Sequence, residues 1–312
     1  MTVRRNMKTT LSANMFSNAV LLCAFFGVML LGAQKAGATV EVFVSIPPQK
    51  WLSDRIGGQH LVTGVLIPNG RDPHTFEPTP KQVEALGRCQ LYFTVGLEFE
   101  EQIITKIRQS SSQLQIVKST AGIEKIAMAE QHNDAGKKEH PEDGPGHDHA
   151  GLDPHVWLSP VNLKIMAAEM AKAIIAVDPQ NKIDYTANLD QLSRELDALD
   201  HTIATQLQPY AGETFFVFHP SFGYFAKRYD LHQEAVEVEG KLPTLKQLSE
   251  LIAAAKADGV KVIFVQPQFD SRSGQVIAKA IGGEVVPLDA LAEDVKGNIE
   301  TIANKISSAL AK

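Results

Sequence analysis

Val40–Ile46 reads VEVFVSI and is followed almost at once by Pro48–Ile56, PQKWLSDRI. The first stretch is a short apolar run rich in Val, the composition of a strand covered on both faces. The second opens on proline, which suits a helix's first turn because that N–H has no partner there anyway. Strand followed directly by helix is the unit that builds parallel sheets. Working outward, Leu61–Ile67, Gln90–Val95 and Leu114–Val117 read as further strands, with Pro80–Arg88 and Phe99–Ser110 as helices between them. Thr79-Pro80 is a strong helix start, Thr as cap and Pro in the first turn.

The alternation stops at 127–151, AMAEQHNDAGKKEHPEDGPGHDHAG, which is charged and almost free of large apolar residues. Such a stretch cannot bury enough surface to offset its ordering entropy and is expected to be a flexible loop. Two long helical segments follow, Pro160–Val177 and Gln180–Gln206. The first carries Leu163, Met166, Ala167, Met170, Ala171 and Ile174 at three- and four-residue steps, one apolar face. Alternation then resumes. Thr214–Phe218, Glu234–Val238, Val260–Val265 and Glu284–Leu288 read as strands, and Ser221–Tyr229, Thr244–Asp258, Ser271–Ile281 and Asn298–Ala311 as helices. The expected fold is therefore α/β: two lobes with mostly parallel sheets, joined by one long helix.

The chain start has its own pattern. Arg4, Arg5 and Lys8 precede the apolar run Ala19–Ala33, and Ala36-Gly37-Ala38 follows it. The run is too short to cross a hydrocarbon core of about 30 Å, and the whole reads as a secretory signal peptide, 1–38, cleaved near Ala38. Removing it takes away four bases and no acid, moving the formal net charge from −6 to −10. An acidic chain without a basic cluster argues against nucleic acid as a partner. The product is expected to be periplasmic, monomeric and not membrane-inserted. Of the two cysteines, only Cys89 lies beyond that point, so no internal disulfide is available.

Three of the ten histidines occupy equivalent places. His74 lies in DPHTFEPTP (72–80), His155 in DPHVWLSP (153–160) and His219 in FVFHPS (216–221), each just before a helix start and beside a proline. In open α/β sheets, the junctions at carboxyl strand ends line the ligand crevice. Neutral imidazoles suit Zn²⁺, and three of them with one oxygen make its tetrahedral shell. Asp289, after the last strand, reads either as that fourth ligand or as a helix cap. Asp270 is better explained as a cap. His132, His140, His147 and His149 all fall in the 127–151 loop among acids, a composition that collects metal weakly.

The motifs PHTFEPTP, DPHVWLSP and FHPSFGYF, in this order around a His-rich loop, resemble the periplasmic zinc-binding proteins of ABC importers, within the metal-specific cluster of solute-binding proteins. That resemblance implies two Rossmann-like lobes (39–159 and 179–312) with a rigid linking helix at 160–178. It implies metal ligation in the cleft by His74, His155, His219 and Asp289. Zn²⁺ would be bound as cargo and delivered to a membrane permease. Glu77 would stand behind the ligands. Relatives that bind Mn²⁺ often have a carboxylate where His219 stands, so the histidine favours zinc over a manganese-binding member. The lack of a cysteine pair in the second lobe departs from many zinc-binding relatives. A zinc hydrolase with Glu77 as base is the competing class. It is disfavoured because no His-Glu-x-x-His pair is present, and the chain is expected not to be an enzyme.

Overall fold

A computed structural model of the chain describes residues 39–108, 113–128, 151–237, 244–269 and 272–311, besides Met1. The proposed signal peptide, almost all of the His-rich loop, and Asp270 lie outside the described residues.

β1 (Val40–Val44) buries Val40, Val42 and Val44. α1 (Pro47–Gly57) follows with prolines at its first positions, and Gly58 ends it at a positive φ of 53°, a conformation glycine adopts without penalty. The first lobe continues through β2 (Leu61–Val65), α2 (Pro80–Arg88), β3 (Leu91–Thr94), α3 (Glu98–Arg108) and β4 (Gln115–Lys118). The α2 start is built as the sequence suggests. Thr79 Oγ1 accepts from the Gln82 amide while Gln82 Oε1 accepts from the Thr79 amide, a reciprocal capping box. The four strands are parallel in the order β2-β1-β3-β4.

After α4 (Pro160–Val177) and α5 (Lys182–Leu207) the pattern repeats: β5 (Thr214–Val217), α6 (Gly223–Arg228), β6 (His232–Ala235), α7 (Leu245–Ala257), β7 (Val262–Val265), α8 (Arg272–Ile281), β8 (Glu284–Pro287) and α9 (Val295–Leu310). This sheet is also parallel, in the order β6-β5-β7-β8. Both lobes thus place their first strand internally and reverse strand order beside it, the arrangement that opens a crevice at the carboxyl strand ends. The two-lobed α/β expectation holds.

The identity of the connecting helix does not. α4 buries Leu163, Met166, Ala167, Met170, Ala171 and Ile174, the stripe read from the sequence, but it packs on α1 and on β3 and β4, so it belongs to the first lobe. α5 packs on α1 and α4 on one side and on α9 of the second lobe on the other. The link is therefore α5 with the short turns Pro179–Asn181 and Gln208–Tyr210 at its ends. Periodicity shows that a helix has a buried face; it does not show which sheet that face covers.

Several boundaries also moved, two of them for an identifiable reason. α9 begins at Val295 rather than Asn298 because the Asp294 carboxylate caps the Gly297 amide at 3.2 Å. β6 begins at His232, whose polar neighbours are recruited to a strand by pairing with β5, tertiary context outweighing propensity. Cys89 is free and buried, and burial pushes its thiol up to about 11. Among the described residues no helix is long and apolar enough to cross a membrane.

Candidate metal centre

Two of the three histidines are set by local chain geometry, and the third by a contact between neighbouring strand ends. In both Asp-Pro-His tripeptides the aspartate folds onto the backbone two residues later. Asp72 Oδ1 accepts from the His74 amide at 2.9 Å, and Asp153 Oδ1 from the His155 amide at 2.8 Å. These are Asx turns, with proline restricting the residue between. His219 sits just past β5, its peptide gripped by the buried Gln266 side chain. Gln266 Oε1 accepts from the His219 amide at 3.2 Å and its Nε2 donates to the His219 carbonyl at 2.6 Å.

These elements bring the three rings together. One ligand atom from each of His74, His155 and His219 lies within 4.8 Å of the other two, the group of this kind found among the described residues. His74 Nε2 and His219 Nε2 are 3.3 Å apart. Two nitrogens each about 2.0–2.1 Å from a tetrahedral Zn²⁺ would be separated by nearly that distance. The rings surround a small cavity of about 10 Å³, which Trp157, Gln266, Gln268 and Phe269 also line, room for one water-sized occupant. Phe269 stacks on His219 at a centroid distance of 4.8 Å, and Trp157 lies 5.3 Å from His155.

Electrostatics sets which nitrogen faces inward. His219 Nδ1 is 2.6 Å from Glu237 Oε2, and His155 Nδ1 is 2.8 Å from Asp153 Oδ1. A carboxylate can only accept, so each Nδ1 carries the proton and each Nε2 is left with a lone pair. Burial, and then the neighbouring His219, hold His74 below the usual histidine value. Burial also lowers His219, against the opposing pull of Glu237. At neutral pH both rings are ready to bind a cation without first losing a proton.

The remaining expected residues fare differently. The structure does not bring Asp289 into the three-histidine group. Its Oδ1 instead accepts from Gln268 Nε2 at 2.7 Å and from the Leu291 amide at 2.8 Å within the loop before α9, and it caps no helix either, because Asp294 is the cap of α9. It adjoins Ala290 and Leu291, both of which line the cavity. Glu77 is exposed and is not part of the cavity wall. His132, His140, His147 and His149 lie outside the described residues. Asp153, Glu237 and Gln266 were not singled out from sequence. Only Asp153 left a signal, the repeat of Asp-Pro-His at two sites.

Two parallel-sheet lobes whose loops bring three imidazoles together define a metal-binding protein of the solute-binding class. The chain belongs to the family described as Zinc-uptake complex component A periplasmic (ZnuA), which it matches over residues 42–310. It is 28% identical over 288 residues to the high-affinity zinc uptake system protein ZnuA of Yersinia pestis, covering 86% of this chain and 89% of that one. To the protein of the same name from Bacillus subtilis it is 29% identical over 265 residues, covering 83% and 81%. It is similar to a crystal structure of ZnuA with a TM-score of 0.78 and 36% identity, covering 88% of this chain and all of that one. A zinc-bound ZnuA deletion mutant gives a TM-score of 0.78 at 35% identity, covering 88% and 99%.

Proposed function

We propose that His74, His155 and His219 hold one Zn²⁺ between the lobes, and that the protein carries it outside the cytoplasm to the membrane permease of an ABC importer. The observation that carries this reading is the meeting of three imidazoles from three separate loops, two of them with Nδ1 tied to a carboxylate. Zinc is the cargo, so the fourth position needs to be exchangeable rather than closed. Asp289 is the protein group proposed for it, which requires its carboxylate to leave Gln268 and the Leu291 amide. The His132–His149 tract is proposed as a weak collector that feeds the cleft.

Capture rather than catalysis fits the chemistry on the cavity wall. A metal hydrolase needs a base beside the open position, and Glu77, the carboxylate considered for that task, is exposed outside the cavity.

Competition between the purified protein and a chromogenic chelator tests the reading, with metal content measured on protein isolated from the periplasm. One tightly held Zn²⁺ per chain, lost in His155→Ala and in His219→Ala, is the expected result. Unchanged affinity in both variants would remove the proposed ligand set. An Asp289→Ala variant that binds as the wild type does would leave water in the fourth position.

A further inference from the structure

Away from the histidine rings, the lobes are also joined at the foot of the 127–151 segment. Tyr224, on α6 of the second lobe, reaches into the first with its hydroxyl. That oxygen accepts from the Ile126 amide at 3.2 Å and donates to the Asp153 carbonyl at 3.1 Å. The two groups belong to a short antiparallel stem in which the Asp153 amide donates to the Ile126 carbonyl at 2.9 Å and Ala127 pairs with Leu152. Beside Tyr224, Gly223 lies so close to the stem that a Cβ there would stand 2.6 Å from Asp153 Oδ2. Asp153 is the residue whose other oxygen, Oδ1, holds both the backbone amide and Nδ1 of His155. On the opposite side, His219 precedes Gly223 by only four residues.

We propose that Gly223 and Tyr224 form a latch that positions His155 against His219 and thereby sets the zinc affinity of the cleft. The inference rests on the three-imidazole site proposed above. A phenol hydroxyl has one proton to give and can accept in return, and here both capacities are spent on backbone of the opposite lobe. Remove the oxygen, and a half-buried amide and a buried carbonyl lose a partner. Among the described residues, these two bonds are the hydrogen bonds that tie the stem carrying Asp153 to the segment carrying His219. Zinc–nitrogen distances tolerate shifts of only about 0.2 Å, so a small drift of the stem is felt at the metal. The glycine matters for the same contact: any side chain at 223 pushes on the carboxylate that orients His155.

A plain packing role for a buried tyrosine is the rival explanation, and α6 leads into its own control. Tyr229, at the end of the same helix, is as buried as Tyr224. Its hydroxyl bonds Asp200 of α5 at 3.2 Å and reaches no ligand loop. The experiment compares zinc affinity and the visible spectrum of the Co²⁺-loaded protein for wild type, Tyr224→Phe, Gly223→Ala and Tyr229→Phe, with His155→Ala in parallel. Tyr224→Phe and Gly223→Ala are expected to bind zinc at least roughly tenfold more weakly, the scale seen for groups behind metal ligands, with altered Co²⁺ bands. Tyr229→Phe should match wild type in both readouts. Wild-type affinity and spectrum in Tyr224→Phe would overturn the latch, as would an equal loss in Tyr229→Phe. Zinc retained by His155→Ala would strike down the ligand set itself, a separate result from either.

Discussion

An imidazole can offer a cation either of two nitrogens, and the residues behind the ring decide which. Glu237 and Asp153 make that choice for His219 and His155 by accepting the Nδ1 proton. Losing a ligand should therefore cost more than losing its orienter. His219→Ala is expected to weaken zinc binding by more than about 100-fold, and Glu237→Ala by roughly 10–100-fold. Glu237→Gln, which keeps an acceptor oxygen, should fall between Glu237→Ala and wild type; chelator competition orders the series. The pH dependence follows from the lowered values of His74 and His219. Protons compete with metal only once these rings can take them up, so affinity should hold through neutral pH and past about 6.5, the ordinary histidine value, and decline only as the pH falls toward their depressed values. The metal-free protein should lose stability in the same direction. Between the depressed folded values and about 6.5 the unfolded chain binds more protons at these two positions, so acidification favours unfolding. Denaturant melts of the apo form at stepped pH check the sign; greater apo stability at pH 5.5 than at pH 7 would contradict it. The histidines could be read from sequence because each sits in a short motif beside proline at a helix start. Glu237 could not, because it is eighteen residues from His219 and reaches it only through the pairing of β5 with β6.

Among the elements, strands and helices were legible wherever one local rule acted alone. The Thr79 capping box, the α4 apolar stripe and the Val-rich β1 are all determined within a few residues. What stayed hidden was assignment to partners. α4 and α5 are adjacent long helices, and only their packing shows that α4 covers the first sheet while α5 spans to α9. The stem beneath the 127–151 segment belongs to the same category, since Ala127 and Leu152 pair across the segment they enclose. The stem also makes a prediction possible. Met128 donates to the Gly151 carbonyl at 2.5 Å, so the two ends of the segment already meet and a short linker can replace 131–150 without pulling on Asp153. That deletion should leave the cleft affinity unchanged within error and lower the total zinc bound per chain at high zinc. Metal analysis after equilibrium dialysis reads both quantities. Loss of the tight site on deletion would move the principal site into the segment.

For the whole molecule, the question is how far the lobes move when the cation arrives. Hinged binding proteins close over a ligand because a few linking residues absorb large changes in φ and ψ. Here the link is α5, 26 residues of continuous helix and so about 39 Å long, with its buried face shared between α1, α4 and α9. Bending it would break helical hydrogen bonds and open packed apolar surface at once. The lobes are also tied near the site. Trp157 Nε1 donates to the Ala290 carbonyl at 2.6 Å, and Lys50 pairs with Glu293 at 3.0 Å. The second of these is partly exposed and contributes little, but the buried indole bond must break before the cleft can widen. Metal entry then requires small movements of loops such as that bearing His74, the more exposed of the three rings, rather than rotation of one lobe. Solution scattering with and without one equivalent of Zn²⁺ should give the same radius of gyration within error, while hydrogen exchange slows around residues 72–76. A clear contraction on zinc addition would show that α5 or its end turns act as a hinge.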